Sequence, residues 1–189
     1  MLKRTFDILI SFLTLFFLIL PLLLIWLLCF FDTHSNGIFV QDRVGQFGRL
    51  FKIHKFRTIK QNGDITVFGS FLRKFKIDEL PQLWDVLIGN MSIVGPRPDV
   101  PGYYDLLKGE ERNVLKLKPG ITSLASLKYF NEEAILKQQV NPQKYNDDVI
   151  FRDKVKINLE YYYSNSILVD LEIVYKTIAK IFASISKKI

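Results

Sequence analysis

Residues 8–31 read ILISFLTLFFLILPLLLIWLLCFF, with no charged side chain among them. A run of this length crosses a hydrocarbon core as a helix. It is too long for a secretory signal and lacks a small-residue cleavage site. Pro21 stands in its middle, where the missing N–H and the ring clash kink or break a helix. The arm before it, from Thr5 to Leu20, reaches about 24 Å as a helix. That is short of a core of about 30 Å. Lys3 and Arg4 precede the run, and Arg43, Arg49, Lys52, Lys55 and Arg57 follow it. Basic flanks stay in the cytoplasm. Both flanks obey that rule if the helix enters, bends at Pro21 and leaves by the same face. One spanning helix and one re-entrant helix are both open on these residues. Lys3, Arg4 and Pro21 are the candidate anchor residues.

The 189 residues suffice for one domain with a core. With 24% charged and 49% hydrophobic residues the composition is not that of a disordered chain. The net charge of +7 suits an anionic partner: a nucleotide, a phospholipid surface or a nucleic acid. The single cysteine, Cys29, lies in the apolar run and reads as a small hydrophobe. Neither His34 nor His54 stands near a second soft ligand, which argues against zinc. The sequence contains no GxGxxG, Walker or GxSxG motif and no internal repeat.

After the link DTHSNG, residues 38–44 (IFVQDRV) and 50–59 (LFKIHKFRTI) read as strands joined by GQFG. A period of two puts Lys55 and Arg57 on one face, suited to a diphosphate or simply solvated. In residues 68–77 (FGSFLRKFKI), Phe68, Phe71, Leu72 and Phe75 form one helical stripe. Residues 173–189 (IVYKTIAKIFASISKKI) repeat the pattern. There Val174, Ile178, Ile181 and Ile185 share one side, away from Lys176, Lys180, Lys187 and Lys188. Each helix suits core packing or a lipid interface with basic residues toward head groups. Pro96, Pro98 and Pro101 restrict the backbone around Arg97. KPGIT at 118–122 reads as a type II turn with Gly120 at its third position.

Residues 75–84, FKIDELPQLW, hold two adjacent carboxylates, Asp78 and Glu79. Pro81 suits the first turn of a helix. An Asp just before it is a favoured cap. A cap needs one carboxylate, however, and two repel unless a cation is near. Mg²⁺ takes one or two protein carboxylates and completes its shell with phosphate oxygens and water. With Arg73, Lys74 and Lys76 just before, the pair fits a Mg²⁺–diphosphate site with one carboxylate as nucleophile.

Residues 72–98, LRKFKIDELPQLWDVLIGNMSIVGPRP, follow HKFRT and precede KPGIT. With KRTFD at 3–7 and LVDLEIVYKTI at 168–178, they make the chain resemble the bacterial sugar transferases over nearly its whole length. These are the small monotopic phosphoglycosyl transferases of polyprenol phosphate. The resemblance implies an α+β fold: a re-entrant, kinked membrane helix over 1–32 and a small cytoplasmic catalytic domain over 33–189 with amphipathic interfacial helices. It implies Mg²⁺-dependent transfer of a sugar-1-phosphate from a UDP-sugar to undecaprenyl phosphate, releasing UMP. It makes Asp78 the aspartate that carries the covalent phosphosugar, and Glu79 its partner and metal ligand. Lys55, Arg57, Arg73 and Arg97 match the family's basic positions around the phosphates. Expected partners are a UDP-sugar, a polyprenol phosphate and inner-membrane lipid at the cytoplasmic face, with room for a homo-oligomer and none for nucleic acid. Two departures stand out. Leu20 replaces the family's serine before Pro21, and GITSLAS at 120–126 replaces the usual GITGLAQ, placing Ser123 and Ser126.

A different class of function also fits the charge: a membrane-anchored module binding nucleic acid or anionic lipid without catalysis. Such a module has no use for Asp78–Glu79, which repels phosphate in the absence of a metal. A purely structural membrane scaffold is a third class, excluded by UMP release from a UDP-sugar.

Overall fold

Leu2–Thr33 form one uninterrupted helix, α1, with Pro21 inside it. This computed structural model describes residues 2–186. Lys187 and Lys188 of the second expected stripe, and the side chain of Ile185, lie outside the described residues. At 1.5 Å per residue α1 is about 48 Å long. Its contacts recur at Arg4, Asp7, Ser11, Leu15, Leu22, Ile25, Cys29 and Thr33, a spacing of three and four that marks one face. The helix therefore lies along the rest of the protein. The other face, including Phe16, Phe17 and Leu20, is exposed.

Polar groups fasten the start of α1. Helix α3 (Gln82–Leu87) ends with unpaired carbonyls. Arg4 donates Nη1 to Val86 O at 2.6 Å and Nη2 to Leu87 O at 2.8 Å, capping it from outside. Asp7, buried, accepts from Ser92 Oγ at 2.8 Å and from Ile93 N at 3.0 Å. Lys3 donates to Asp170 Oδ2 at 2.5 Å and to Val94 O at 3.1 Å. The Tyr161 hydroxyl donates to the other oxygen of Asp170. Lys3 and Arg4 thus have protein partners.

Strands β1 (Ile38–Val44) and β2 (Leu50–Phe56) pair antiparallel, Ile38 opposite Phe56 and Val44 opposite Leu50. The first strand has the expected bounds. The second ends at Phe56, three residues before its expected end. Helix α2 (Val67–Lys74) begins at Thr66, whose hydroxyl accepts from Gly69 N at 2.8 Å. Strands β3 (Ser92–Val94) and β4 (Gly120–Thr122) pair in parallel. Here the turn reading fails. Gly120 is a strand residue without positive φ. It is glycine because a Cβ there would come within 2.1 Å of Gly95 N. Short helices α4 (Leu124–Lys128), α5 (Glu132–Lys137) and α6 (Pro142–Tyr145) lead through a π-helical turn, Asn146–Phe151, to α7 (Arg152–Ser164) and α8 (Ile167–Ser186). Mixed helix and sheet with one long apolar N-terminal helix agrees with the expected α+β class.

The main core joins Ile53, Leu83, Val86, Met91, Ile93, Val94, Tyr161 and Ile173, so β2, α3, β3, α7 and α8 meet there. A second cluster forms around Val44, Tyr104, Val114 and Val155. A third joins Cys29 to Phe56 and Leu72. The expected apolar stripes divide between core and surface. Phe68 and Leu72 of α2 pack inward, while Phe71 is exposed. On α8, Ile173 and Val174 are drawn into the main core. Of the expected side Val174 is therefore drawn inward and Ile178 is exposed, and Leu168, Leu171, Tyr175 and Phe182 are exposed beside it.

Candidate active site around Asp78 and Glu79

Lys76 takes left-handed backbone angles, φ 58° and ψ 18°. A side chain is strained there. The bend ends α2 sharply and starts a 3₁₀ turn, Ile77–Glu79, which carries both carboxylates ahead of α3. Pro81 occupies the cap position of α3, and no side chain caps that helix. Asp78 is therefore not an N-cap. It is 7% exposed, and its Oδ1 has no hydrogen-bond partner among the described residues.

Glu79 is equally buried but fully engaged. Arg97 grips it with two nitrogens: Nη1 donates to Oε2 at 3.0 Å and Nη2 to Oε1. Lys55 Nζ adds a bond to Oε1 at 3.1 Å. Planar two-point contact of this kind sets direction as well as charge. Arg97 owes its position to the β3–β4 pairing. Gly95 and Gly120 press backbone against backbone, and Gly120 N donates to Pro96 O at 2.8 Å. Pro96 and Pro98 then hold the segment between them. Lys55 arrives from β2, and β2 packs on α3 through Ile53, Leu83 and Val86.

The two neighbours differ sharply in electrostatics. Burial raises the pKa of the Asp78 carboxyl, and the charge of Glu79 adds to that; Lys55, Lys76 and Arg73 oppose it. Burial acts on Glu79 in the same sense but is overcome by the charge and hydrogen bonds of Arg97, with Lys55 helping, so its carboxyl stays well below the ordinary range. Arg97 is shifted further up by Glu79. Burial lowers the Lys55 ammonium, with Glu79 opposing. Two adjacent carboxylates in different environments take different roles. One is an anchored anion, the other a buried carboxylate with a bare oxygen.

Arg73 makes no side-chain hydrogen bond or ion pair among the described residues, and its charge acts on Asp78. Arg57 is not brought to the dyad. Because β2 stops at Phe56, Arg57 leaves the face of Lys55, donates Nε to Asn36 O at 2.8 Å and lies over the Phe39 ring. Asp7 and Asp85 were missed in the sequence. Asp85, fully buried on α3, accepts from His54 N at 3.0 Å and lies 2.7 Å from His54 Nδ1, locking β2 to the helix that follows the dyad. A carboxylate at the head of an apolar helix was a usable signal for Asp7; Asp85 offered none.

No cluster of three His, Cys, Asp or Glu occurs among the described residues. A Mg²⁺ ion that shares its shell with a diphosphate needs fewer protein ligands. Glu79 Oε2 accepts one hydrogen bond and keeps a second lone pair, and Asp78 Oδ1 is unpartnered. The donor set fits such an ion.

The family model for bacterial sugar transferases matches residues 1–184. The exopolysaccharide production protein ExoY of Sinorhizobium fredii is 33% identical over 96% of this chain and 86% of its own length. The UDP-glucose:undecaprenyl-phosphate glucose-1-phosphate transferase of Klebsiella pneumoniae is 34% identical over 95% of this chain and 40% of its own. The Escherichia coli enzyme of the same name is 33% identical over 97% of this chain and 41% of its own. A family-model match over residues 1–184, with relatives at 33–34% identity across 95–97% of the chain, means that this protein belongs to the bacterial sugar transferase family.

Proposed function

We propose that the protein transfers a sugar-1-phosphate from a UDP-sugar to undecaprenyl phosphate, releasing UMP, at the cytoplasmic face of the bacterial inner membrane. The observation that carries this reading is the unpartnered, buried Oδ1 of Asp78 beside a Glu79 already neutralised by Arg97 and Lys55. Asp78 attacks the phosphorus that bears the sugar. A bond forms between its carboxylate oxygen and phosphorus, and the bond to the bridging oxygen breaks. UMP leaves with that oxygen and the electron pair. An oxygen of the lipid phosphate then attacks the same phosphorus, frees Asp78 as carboxylate and forms a lipid diphosphate sugar. Arg73, unpaired, receives the donor's phosphates, and Arg97 presents a fixed positive face to the phosphoryl oxygens. Mg²⁺, held by Glu79 beside Asp78, would neutralise charge on the diphosphate.

Incubating the purified protein with a panel of UDP-sugars, Mg²⁺ and undecaprenyl phosphate tests the proposal. UMP is expected from at least one sugar and only with a divalent ion. Release from none retires the reading.

The membrane arrangement belongs to the same proposal. Both ends of α1 meet one body: Asp7 at β3, and Cys29 at Phe56 and Leu72. A helix standing straight across the bilayer would put its two ends at opposite faces, whereas here both ends are attached to the same body. A helix that dips in and returns keeps them at the interface. The exposed apolar residues of α1, α2 and α8 are the surface such an immersion would cover. Tags at residue 1 and residue 189 are expected to report cytoplasm in intact cells. Labelling of the N-terminus from the periplasm would overturn the re-entrant path, and Pro21→Leu is expected to favour a straighter, spanning helix.

A further inference from the structure

Beside Arg97 the fold leaves a cleft of about 240 Å³. Its walls come from the loop after β3, from α4, from the π-helical turn and from α7, with Arg43 of β1 at one side. Two of its lining side chains hold buried polar atoms with no hydrogen-bond partner among the described residues: Asn158 Oδ1 and Arg43 Nε. Asn158 is 1% exposed, and its Nδ2 is already committed to the Tyr104 hydroxyl at 2.8 Å. Its carbonyl is the end left over. A buried acceptor or donor without a partner is costly and uncommon in a folded protein. Here one of each belongs to a residue on the wall of the same cleft.

An occupant that reached both atoms would donate to Asn158 Oδ1 and accept from Arg43 Nε. The Glu132–Lys154 ion pair, 2.7 Å, adds a further acceptor and donor on the wall. Tyr104 and Phe151, with ring centroids 5.2 Å apart, supply apolar surface. Hydroxyls of a sugar ring each donate and accept, and the ring's C–H faces suit aromatic edges. A uracil ring offers one N–H and otherwise only acceptors, whereas the donor's ribose also carries hydroxyls. Position separates the two sugars. Arg97 holds Glu79 on one side and lines the cleft on the other. The phosphorus attacked by Asp78 carries the sugar directly, whereas the nucleoside lies one phosphate further off.

We propose that this cleft seats the sugar ring of the donor, with Asn158 and Arg43 reading its hydroxyls and Ser126 setting the room available. The proposal rests on the phosphoglycosyl-transfer reading of the dyad. Ser123 and Ser126 divide accordingly. Ser123 is buried and caps α4 by accepting from Ser126 N at 3.0 Å, while Ser126 lines the cleft.

The test is binding of UDP and of UDP-glucose, UDP-galactose and UDP-N-acetylglucosamine to the full chain in detergent, for wild type, Asn158→Ala and Ser126→Gln. The wild type is expected to bind at least one UDP-sugar more tightly than UDP. Each variant is expected to lose about 10-fold on that sugar, the scale of one lost hydrogen bond in a built site, with UDP affinity unchanged. Ser126→Gln fills space at a part-exposed position and keeps the test standing if Asn158→Ala does not fold. Equal losses on UDP and UDP-sugar would put the nucleoside in the cleft and overturn the proposal. So would an unchanged preference, which makes the cleft purely structural. Failure of the transfer reading looks different: sugar-dependent binding persists, but the wild type releases no UMP from any donor.

Discussion

Asp78→Asn is expected to release no UMP burst and to gain no sugar-phosphate mass when mixed with its UDP-sugar and Mg²⁺ alone. Under the same conditions the wild type is expected to release at most one UMP per active site and to gain one sugar phosphate, since the first half-reaction needs no lipid. A neutral amide is a poor nucleophile, and losing the nucleophile costs on the order of 10⁴-fold or more in turnover. The fold gives no reason for collapse. Among the described residues Asp78 caps no helix, and its Oδ1 accepts no hydrogen bond. Its carboxyl is raised, first by burial and then by Glu79. A carboxyl raised in the folded state makes stability fall as pH rises from its unfolded to its folded pKa. Asn removes that charge, so the variant's Tm at neutral pH is expected to equal or exceed that of the wild type. The same shift sets the pH dependence of the burst. Attack requires the carboxylate, so the burst rate falls as pH drops through the raised pKa of Asp78, and the midpoint lies above that of an ordinary aspartate. An active Asp78→Asn protein would remove the nucleophile assignment.

Arg97→Ala is expected to lower UMP release by about 10²–10³-fold, the usual loss for a preorganised charge partner at a developing phosphoryl charge. This variant also leaves Glu79 buried with Lys55 as its only ion-pair partner among the described residues. An acceptor stripped of its donor costs about 1–3 kcal/mol. The lower end applies here, because Lys55 stays and the Arg97 side chain is 41% exposed, where water screens the charge. That corresponds to about 2–4 °C in Tm for a chain of this size. Arg97→Lys separates the two effects. It restores a charge near Glu79 and most of the stability, but a single ammonium cannot reproduce the fork, so turnover recovers only in part. Because Arg97 holds the Glu79 carboxyl low, the pair stabilises the fold at neutral pH. That contribution is lost only as pH falls through the depressed pKa of Glu79, so acid tolerance is expected to shrink in Arg97→Ala. Near wild-type UMP release from that variant would take Arg97 out of the site.

What the sequence by itself determined is everything carried by local pattern. A charge-free run with proline in it specifies a long apolar helix. Alternation over 38–44 specifies β1 with its observed bounds. Adjacent Asp78 and Glu79, and Arg97 between prolines, single out the candidate site, because two neighbouring carboxylates repel unless a cation is near. Tertiary structure decided which groups face each other. Lys55 and Arg57 alternate like partners, yet the strand ends at Phe56 and only Lys55 reaches Glu79. The Gly120 position reads as a turn, yet its glycine serves a backbone contact with Gly95. The exposed face of α8 was set by which residues the core and Lys3 claimed first. Asn158 and Arg43 carry no pattern at all; α7 and β1 bring them to the wall of one cleft. Periodicity reports what a residue's own turn or strand can do. Pairings across many residues of chain depend on burial and the satisfaction of polar groups, which exist only once the elements have packed.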